Sequence, residues 1–196
     1  MGWKQERGNE TAAKILDTAM DIFRETGTTR IPVVDLSERS GATAGSIYHH
    51  YGCMNGVAAA LYIRSLSGLL KTIAKAVQRQ NTPELVIRSL VKAYLSWTRK
   101  NPDEARFIHA STFQPYVRQY ADEIAAARNL SMITIAAAIH SLADTGQFVK
   151  LPEFMYEMII IGPAAETARR WLDGDPAVDI ARAEKDLPDR ILRALT

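Results

Sequence analysis

The chain has 196 residues, enough for one large or two small domains with a sizeable core. A hydrophobic content of 47% fits a packed globular protein and excludes a disordered one. The formal net charge of +2 excludes the strongly basic class whose bulk charge alone announces a nucleic-acid partner. The single cysteine, Cys53, rules out an intrachain disulfide and agrees with a reducing, cytoplasmic setting. The first ten residues, MGWKQERGNE, lack the apolar segment of a signal peptide. The apolar runs at 133–139 and 155–161 are too short to span a bilayer.

The most informative stretch is IPVVDLSERSGATAGSIYHHY, residues 31–51. It predicts a short helix, a glycine turn and a second short helix. Pro32 suits a first helical turn, where no N–H partner is needed. Val33 and Leu36 then face inward, while Asp35, Glu38 and Arg39 face water. Gly41 marks the turn, because positive φ costs little without a Cβ. Thr43 is placed to cap the second helix by accepting from the amide of Ser46 or Gly45.

At about 100° per residue, with Ile47 turned to the core, Gly45 and His49 point most nearly away from it. Ala44 and Tyr48 share one flank, and Ser46 and His50 the other. Small residues at 44–46 let the helix N-terminus approach base edges, which Ser46 and His49 can hydrogen-bond. Tyr48 and His50 can reach phosphates, which position a protein without reading sequence. The plain alternative is a glycine-turned helical hairpin with solvated histidines and no nucleic acid. Residues 1–56 hold six Lys/Arg against seven Asp/Glu. Phosphate neutralisation governs salt dependence, so this balance predicts a shallow salt slope for any DNA complex.

Residues 11–57 resemble the DNA-binding domain of the TetR family of bacterial transcriptional regulators. Ile15, Leu16, Ala19, Ile22, Phe23 and Gly27 fill the places of that family's first-helix stripe. Leu36-Ser37, Ser40-Gly41-Ala42-Thr43 and Ile47-Tyr48-His49-His50-Tyr51 fill those of its second and third helices. The resemblance implies an all-α fold. An N-terminal three-helix helix-turn-helix domain, residues 1–53, would precede a larger helical ligand-binding and dimerisation domain, residues 54–196. It further implies a homodimer that binds palindromic operator DNA, commonly as a repressor, and is released by a small-molecule effector. The DNA-facing residues would be Arg30, Thr43, Ala44, Gly45, Ser46, Tyr48, His49 and His50.

Some positions depart from the family pattern. The threonine usual near the start of the second helix is replaced by Ile31-Pro32. The usual Ser-Lys-Glu-x-Leu is replaced by Cys53-Met54-Asn55-Gly56-Val57. Cysteine is a weak cap, and methionine cannot neutralise a phosphate. Asn55 is then expected as a displaced cap that starts the next helix two residues late. Nothing near Cys53 in the sequence lowers its pKa, so it reads as a small residue at a helix start.

From Gly56 onward the pattern is helical. One long helix is expected over about 55–80 and ends before Asn81-Thr82-Pro83. Thr82 is the cap and Pro83 the first residue of the next helix, which runs to about Lys100. Asn101-Pro102 interrupts it. Another long helix is expected over 116–144, then two more at about 153–173 and 176–195. Pro163 is expected to kink the first of these two.

The resemblance implies an effector pocket, with candidates Tyr94, Trp97, Phe107, Ile108, His109, Thr112, Phe113, Tyr116, Met132 and Ile135. An aromatic stripe at helical spacing is equally the mark of plain core. It also implies dimerisation through the last two helices, with candidates Ile161, Gly162, Ala165, Ala168, Arg169, Leu187 and Ile191. No catalytic constellation or metal-ligand spacing is present, and no cofactor is expected. His49 and His50 are adjacent and diverge, His109 and His140 are isolated, and no phosphate-cradling glycine loop occurs. The second reading is a helical ligand-binding or interaction protein with weakened or lost DNA binding.

Overall fold

A computed structural model of the chain describes residues 2–196, with side chains from Gly8 onward. Among the described residues the chain is built of helices, with no strand. In order they are α1 (Gly2–Thr26), α2 (Val33–Ser40), α3 (Ala44–Tyr51), α4 (Met54–Val77) and α5 (Pro83–Lys100). There follow α6 (Pro102–Ser111), α7 (Pro115–Gln119), α8 (Ala121–Asp144), α9 (Glu153–Leu172) and α10 (Ile180–Leu195). They form two compact units. The first comprises Met1–Leu66 and Phe107–Ala127, and the second Ser67–Arg106 and Arg128–Thr196.

The core of the first unit follows from the apolar stripe of α1. Ile15, Leu16, Ala19, Met20, Ile22 and Phe23 recur at helical spacing and are buried together with Leu36 of α2, Ile47 of α3 and Val57 and Leu61 of α4. Phe107 completes this core. Its ring meets that of Phe23 edge-on, with centroids 4.9 Å apart and planes at 86°, the geometry in which ring edge and ring face attract. Ala58, Ala59 and Tyr116 form an adjoining cluster. By length and composition α4 is long and apolar enough to cross a membrane. The uninterrupted apolar runs of the sequence missed it, and Val57, Ala58, Ala59 and Leu61 within it are buried.

In the second unit α5, α9 and α10 pack against one another pairwise. Leu90, Val91 and Leu95 of α5, Ile160, Ala164 and Ala168 of α9, and Ile191 and Leu195 of α10 are buried. Thr82 accepts from the Leu85 amide and Pro83 opens α5, as the sequence predicts.

Three boundaries differ from expectation. The helix expected over 116–144 is broken at Tyr120, whose backbone (φ −113°, ψ 32°) leaves helical geometry between α7 and α8. The last helix begins at Ile180 rather than near 176, because the Asp179 carboxylate accepts from the amides of Ala181 and Arg182. Residues before it are held in a turn, where Asp175 accepts from the Ala177 amide and the Arg170 guanidinium. Helix α4 begins at Met54, so Asn55 lies inside it rather than capping it; the Cys53 carbonyl already accepts from the Val57 amide at 3.1 Å.

Phe107→Ala should destabilise the protein by about 3–5 kcal/mol, the usual cost of emptying an aromatic site in a packed core. Urea denaturation would measure it; a loss under about 1 kcal/mol would mean that the ring is not part of this core.

Candidate nucleic-acid interface

The helix-turn-helix is held from both ends of its turn. Gly41 takes φ 70°, and its amide returns to the Ser37 carbonyl. The Ser37 hydroxyl donates to the Ala42 carbonyl at 2.7 Å, while the buried Ser40 hydroxyl accepts from the Ala42 amide at 3.2 Å. Thr43 then caps α3 by accepting from the Ser46 amide at 3.1 Å. Pro32 stands one position outside α2 as its N-cap, its carbonyl accepting from Leu36.

Helix α3 is seated through one face. Ile47 is 0% exposed, and at the C-terminal end the Tyr51 hydroxyl donates to the Ala12 carbonyl of α1 at 2.7 Å. Burial pushes that hydroxyl's pKa up, so it remains a donor. The opposite face is open: Thr43, Ala44, Gly45, Tyr48 and His49 are exposed, and Ser46 and His50 are half-buried. The His49 and His50 rings lie edge-on at 5.6 Å. The face therefore offers two imidazoles, a phenol and a hydroxyl beside a helix N-terminus with no bulky side chain.

The turn into α4 is tight. A Cβ on Gly56 would lie 1.8 Å from the Tyr51 carbonyl oxygen, so only glycine fits there. Asn55 donates to the Gln119 side chain at 2.9 Å. Cys53 corrects the sequence reading. The Tyr120 hydroxyl lies 3.5 Å from its Sγ, and this bond, aided by the Gly56 amide, holds the thiol below its ordinary pKa. The same bond is the first reason that the Tyr120 hydroxyl is pushed up to about 12. The sequence could not show this, because the partner lies 67 residues away.

Charges near the site are largely internal. Arg39 binds Glu25 through two bonds of 2.7 Å, and this guanidinium holds the Glu25 carboxyl below its ordinary range. Arg64 pairs with Asp17 at 2.6 Å, and Arg24 with Asp21 at 3.0 Å. Arg30 is exposed and has no ion pair among the described residues. It shares a cleft of about 350 Å³ with Met54 and Asn55.

The other sequence candidates are dispersed. Phe107, Ile108 and Tyr116 are buried in the first unit, and the Tyr116 hydroxyl donates to Ser111 at 2.7 Å. In the same unit His109 is half-buried, Thr112 is exposed and Phe113 is 97% exposed. Tyr94 and Trp97 are buried in the second unit. Met132 and Ile135, also in that unit, line a cavity of about 70 Å³ formed by α5, α8 and α9. Its remaining lining, Ile139, His140, Tyr156 and the α9 glutamates among it, was missed, because residues of three helices meet there only after packing. Of the dimer candidates, Ile161, Gly162, Ala165 and Leu187 are half-buried and Arg169 is exposed, bonded to Glu166 and Asp173. Ala168 and Ile191 are buried within the chain itself.

Residues 15–61 match the family model described as bacterial regulatory proteins, tetR family. Uncharacterised HTH-type transcriptional regulators of Mycobacterium bovis and Mycobacterium tuberculosis are 30% identical over 74 residues, which is 38% of this chain and 38% of theirs. The alignment thus spans well under half the length of these relatives. The chain is similar in fold to a TetR family transcription regulator of Marinobacter aquaeolei, with a TM-score of 0.79 at 14% identity over 97% of this chain and 98% of the other. It is also similar to FadR of Bacillus subtilis in complex with stearoyl-CoA, with a TM-score of 0.70 at 15% identity over 94% and 99%.

Gly56→Ala should displace α3, because the methyl group would collide with backbone rather than with a flexible side chain. The expected cost is about 1–3 kcal/mol or more, with amide NMR shifts moving throughout residues 44–51. An unchanged spectrum would show that α3 and α4 do not approach in this way.

Proposed function

We propose that this chain, a member of the TetR family of bacterial regulatory proteins, binds a palindromic operator in double-stranded DNA as a homodimer. Helix α3 enters the major groove, and a small molecule held by the helical second unit releases the DNA. The observation that carries this reading is the division of α3 into a seated and an open face. Ile47 is fully buried, while Gly45, Tyr48 and His49 are exposed. A surface helix with no partner would normally present long charged side chains to water; this one presents small residues and hydrogen-bonding rings instead. Its width at the N-terminus suits the groove, and the rings suit base edges and phosphates. Two such helices related by a two-fold axis would read half-sites one helical turn, or a multiple of it, apart.

Arg30 is the natural phosphate ligand in place of the lysine that Met54 replaces, since the two share one cleft and Arg30 has no ion pair among the described residues. Arg39, Arg24 and Arg64 are committed to carboxylates. Few cations are therefore available to displace counterions. A small cavity lined by α5, α8 and α9, one of several clefts in the second unit, supports effector binding, and FadR with stearoyl-CoA is a protein of similar fold holding a small molecule. Repression is the expected sign, because it is the commoner outcome in the family that the chain resembles.

Selection of bound sequences from random duplex DNA tests this reading. A palindrome should emerge with the native chain. His49→Ala should lose about 1–3 kcal/mol and relax one position of it. Arg30→Ala should weaken all sequences alike and lower the salt slope by about one. The native slope itself should be well below the value of about ten seen for a strongly basic binder. No enrichment even at low salt would overturn the regulator and favour a ligand-binding protein that no longer engages DNA.

A further inference from the structure

The cavity among α5, α8 and α9 has walls of one chemistry and a rim of another. Leu90, Ile135, Ile139 and Ile160 are buried and make its interior. Its volume of about 70 Å³ is roughly half of the ~150 Å³ that admits a benzene molecule. It is therefore too small for a whole drug-sized ligand or an aryl ring, and it suits the last few carbons of an alkyl tail. The hydroxyl of Tyr156, which also lines it, is occupied: it donates to the Val149 carbonyl at 2.8 Å and accepts from the Leu151 amide at 3.2 Å. The interior thus has no free hydrogen-bonding group to offer from that ring.

The rim carries Glu153 and Glu157, exposed and one turn apart on the same face of α9. Neither has an ion pair or a side-chain hydrogen bond among the described residues. Glu153 stands in the first turn of α9, where a carboxylate favours the helix dipole. Glu157 lies beyond that first turn, and like charges at this spacing repel. A cation placed between them relieves that repulsion. No lysine or arginine lines the cavity.

We propose that this cavity takes an amphipathic cation: an apolar tail enters between α5, α8 and α9, and an amine or quaternary ammonium head rests between Glu153 and Glu157. This rests on the effector reading above and specifies its ligand class. It opposes the simple transfer of an anionic acyl ligand from FadR, because two carboxylates without an ion pair among the described residues repel such a head group.

Calorimetric titration with hexyltrimethylammonium, hexanol and hexanoate distinguishes the possibilities at equal tail length. The ammonium should bind about tenfold more tightly than hexanoate, as two exposed charge pairs each contribute up to about fivefold. Raising the salt should narrow the difference. The surface change Glu153→Gln with Glu157→Gln should reduce the preference to about twofold, with the helical circular dichroism unchanged. Ala136→Phe, which fills the cavity from α8, should abolish binding of all three compounds. Hexanoate binding as tightly as the ammonium, or a preference that survives both glutamine changes, overturns the proposal. A separate operator-binding measurement with the ammonium present tests the effector reading alone. If the cation binds but the DNA affinity is unchanged, the ligand assignment stands and its regulatory role falls.

Discussion

The seating of α3 is the constraint on which the rest of the first unit depends. A helix of eight residues is far too short to hold itself in water. Its order comes from one fully buried isoleucine, one capping threonine and one tyrosine hydroxyl that reaches the backbone of α1. These three fix translation, start and rotation respectively. They leave the opposite face with no structural task. The tight passage at Gly56 then prevents α3 from drifting along the start of α4. The same economy explains why the turn is so fully hydrogen-bonded: both Ser37 and Ser40 spend their hydroxyls on Ala42. A turn with freedom to rotate would blur the position of every side chain beyond it.

Several charges of this unit are spent on pairs within the chain, at its surface. The Glu25–Arg39 and Asp17–Arg64 pairs join segments distant in sequence, and each removes one cation from the pool that could meet a phosphate. Exposed pairs of this kind stabilise little individually. Their larger consequence is to leave few cations near α3 without an ion pair among the described residues, Arg30 and Lys14 among them. The second unit shows the complementary pattern, with an apolar interior and, at the rim of one cavity, two carboxylates without an ion pair among the described residues. In both places the informative charge is one without an ion pair among the described residues.

Most helices are legible in the chain because their apolar spacing and their punctuation agree. Thr82-Pro83 opens α5, Gly41 ends α2 and Thr43 caps α3, each by a local bond between residues three or four apart. The break at Tyr120 was not legible, since alanine-rich sequence continues on its far side and the ring's partner is Cys53. The same holds for Phe107. An aromatic at that spacing reads equally as a pocket wall or as core, and only the edge-on ring of Phe23 decides for core.

What the sequence determined by itself is everything that local spacing governs: the all-helical character, the glycine turn and the division of α3 into an inward Ile47 and an outward Gly45 and His49. Periodicity and capping act over a few residues, so a single chain displays them. What only the tertiary structure decided is which cations are already neutralised, which apolar residues are spent on the chain's own core, and where a cavity opens. Ala168 and Ile191 are buried, Arg39 is paired, and Met132 and Ile135 meet Glu153 and Glu157 around one cavity. Those facts depend on side chains brought together from distant positions, and no periodicity in the sequence encodes the meeting.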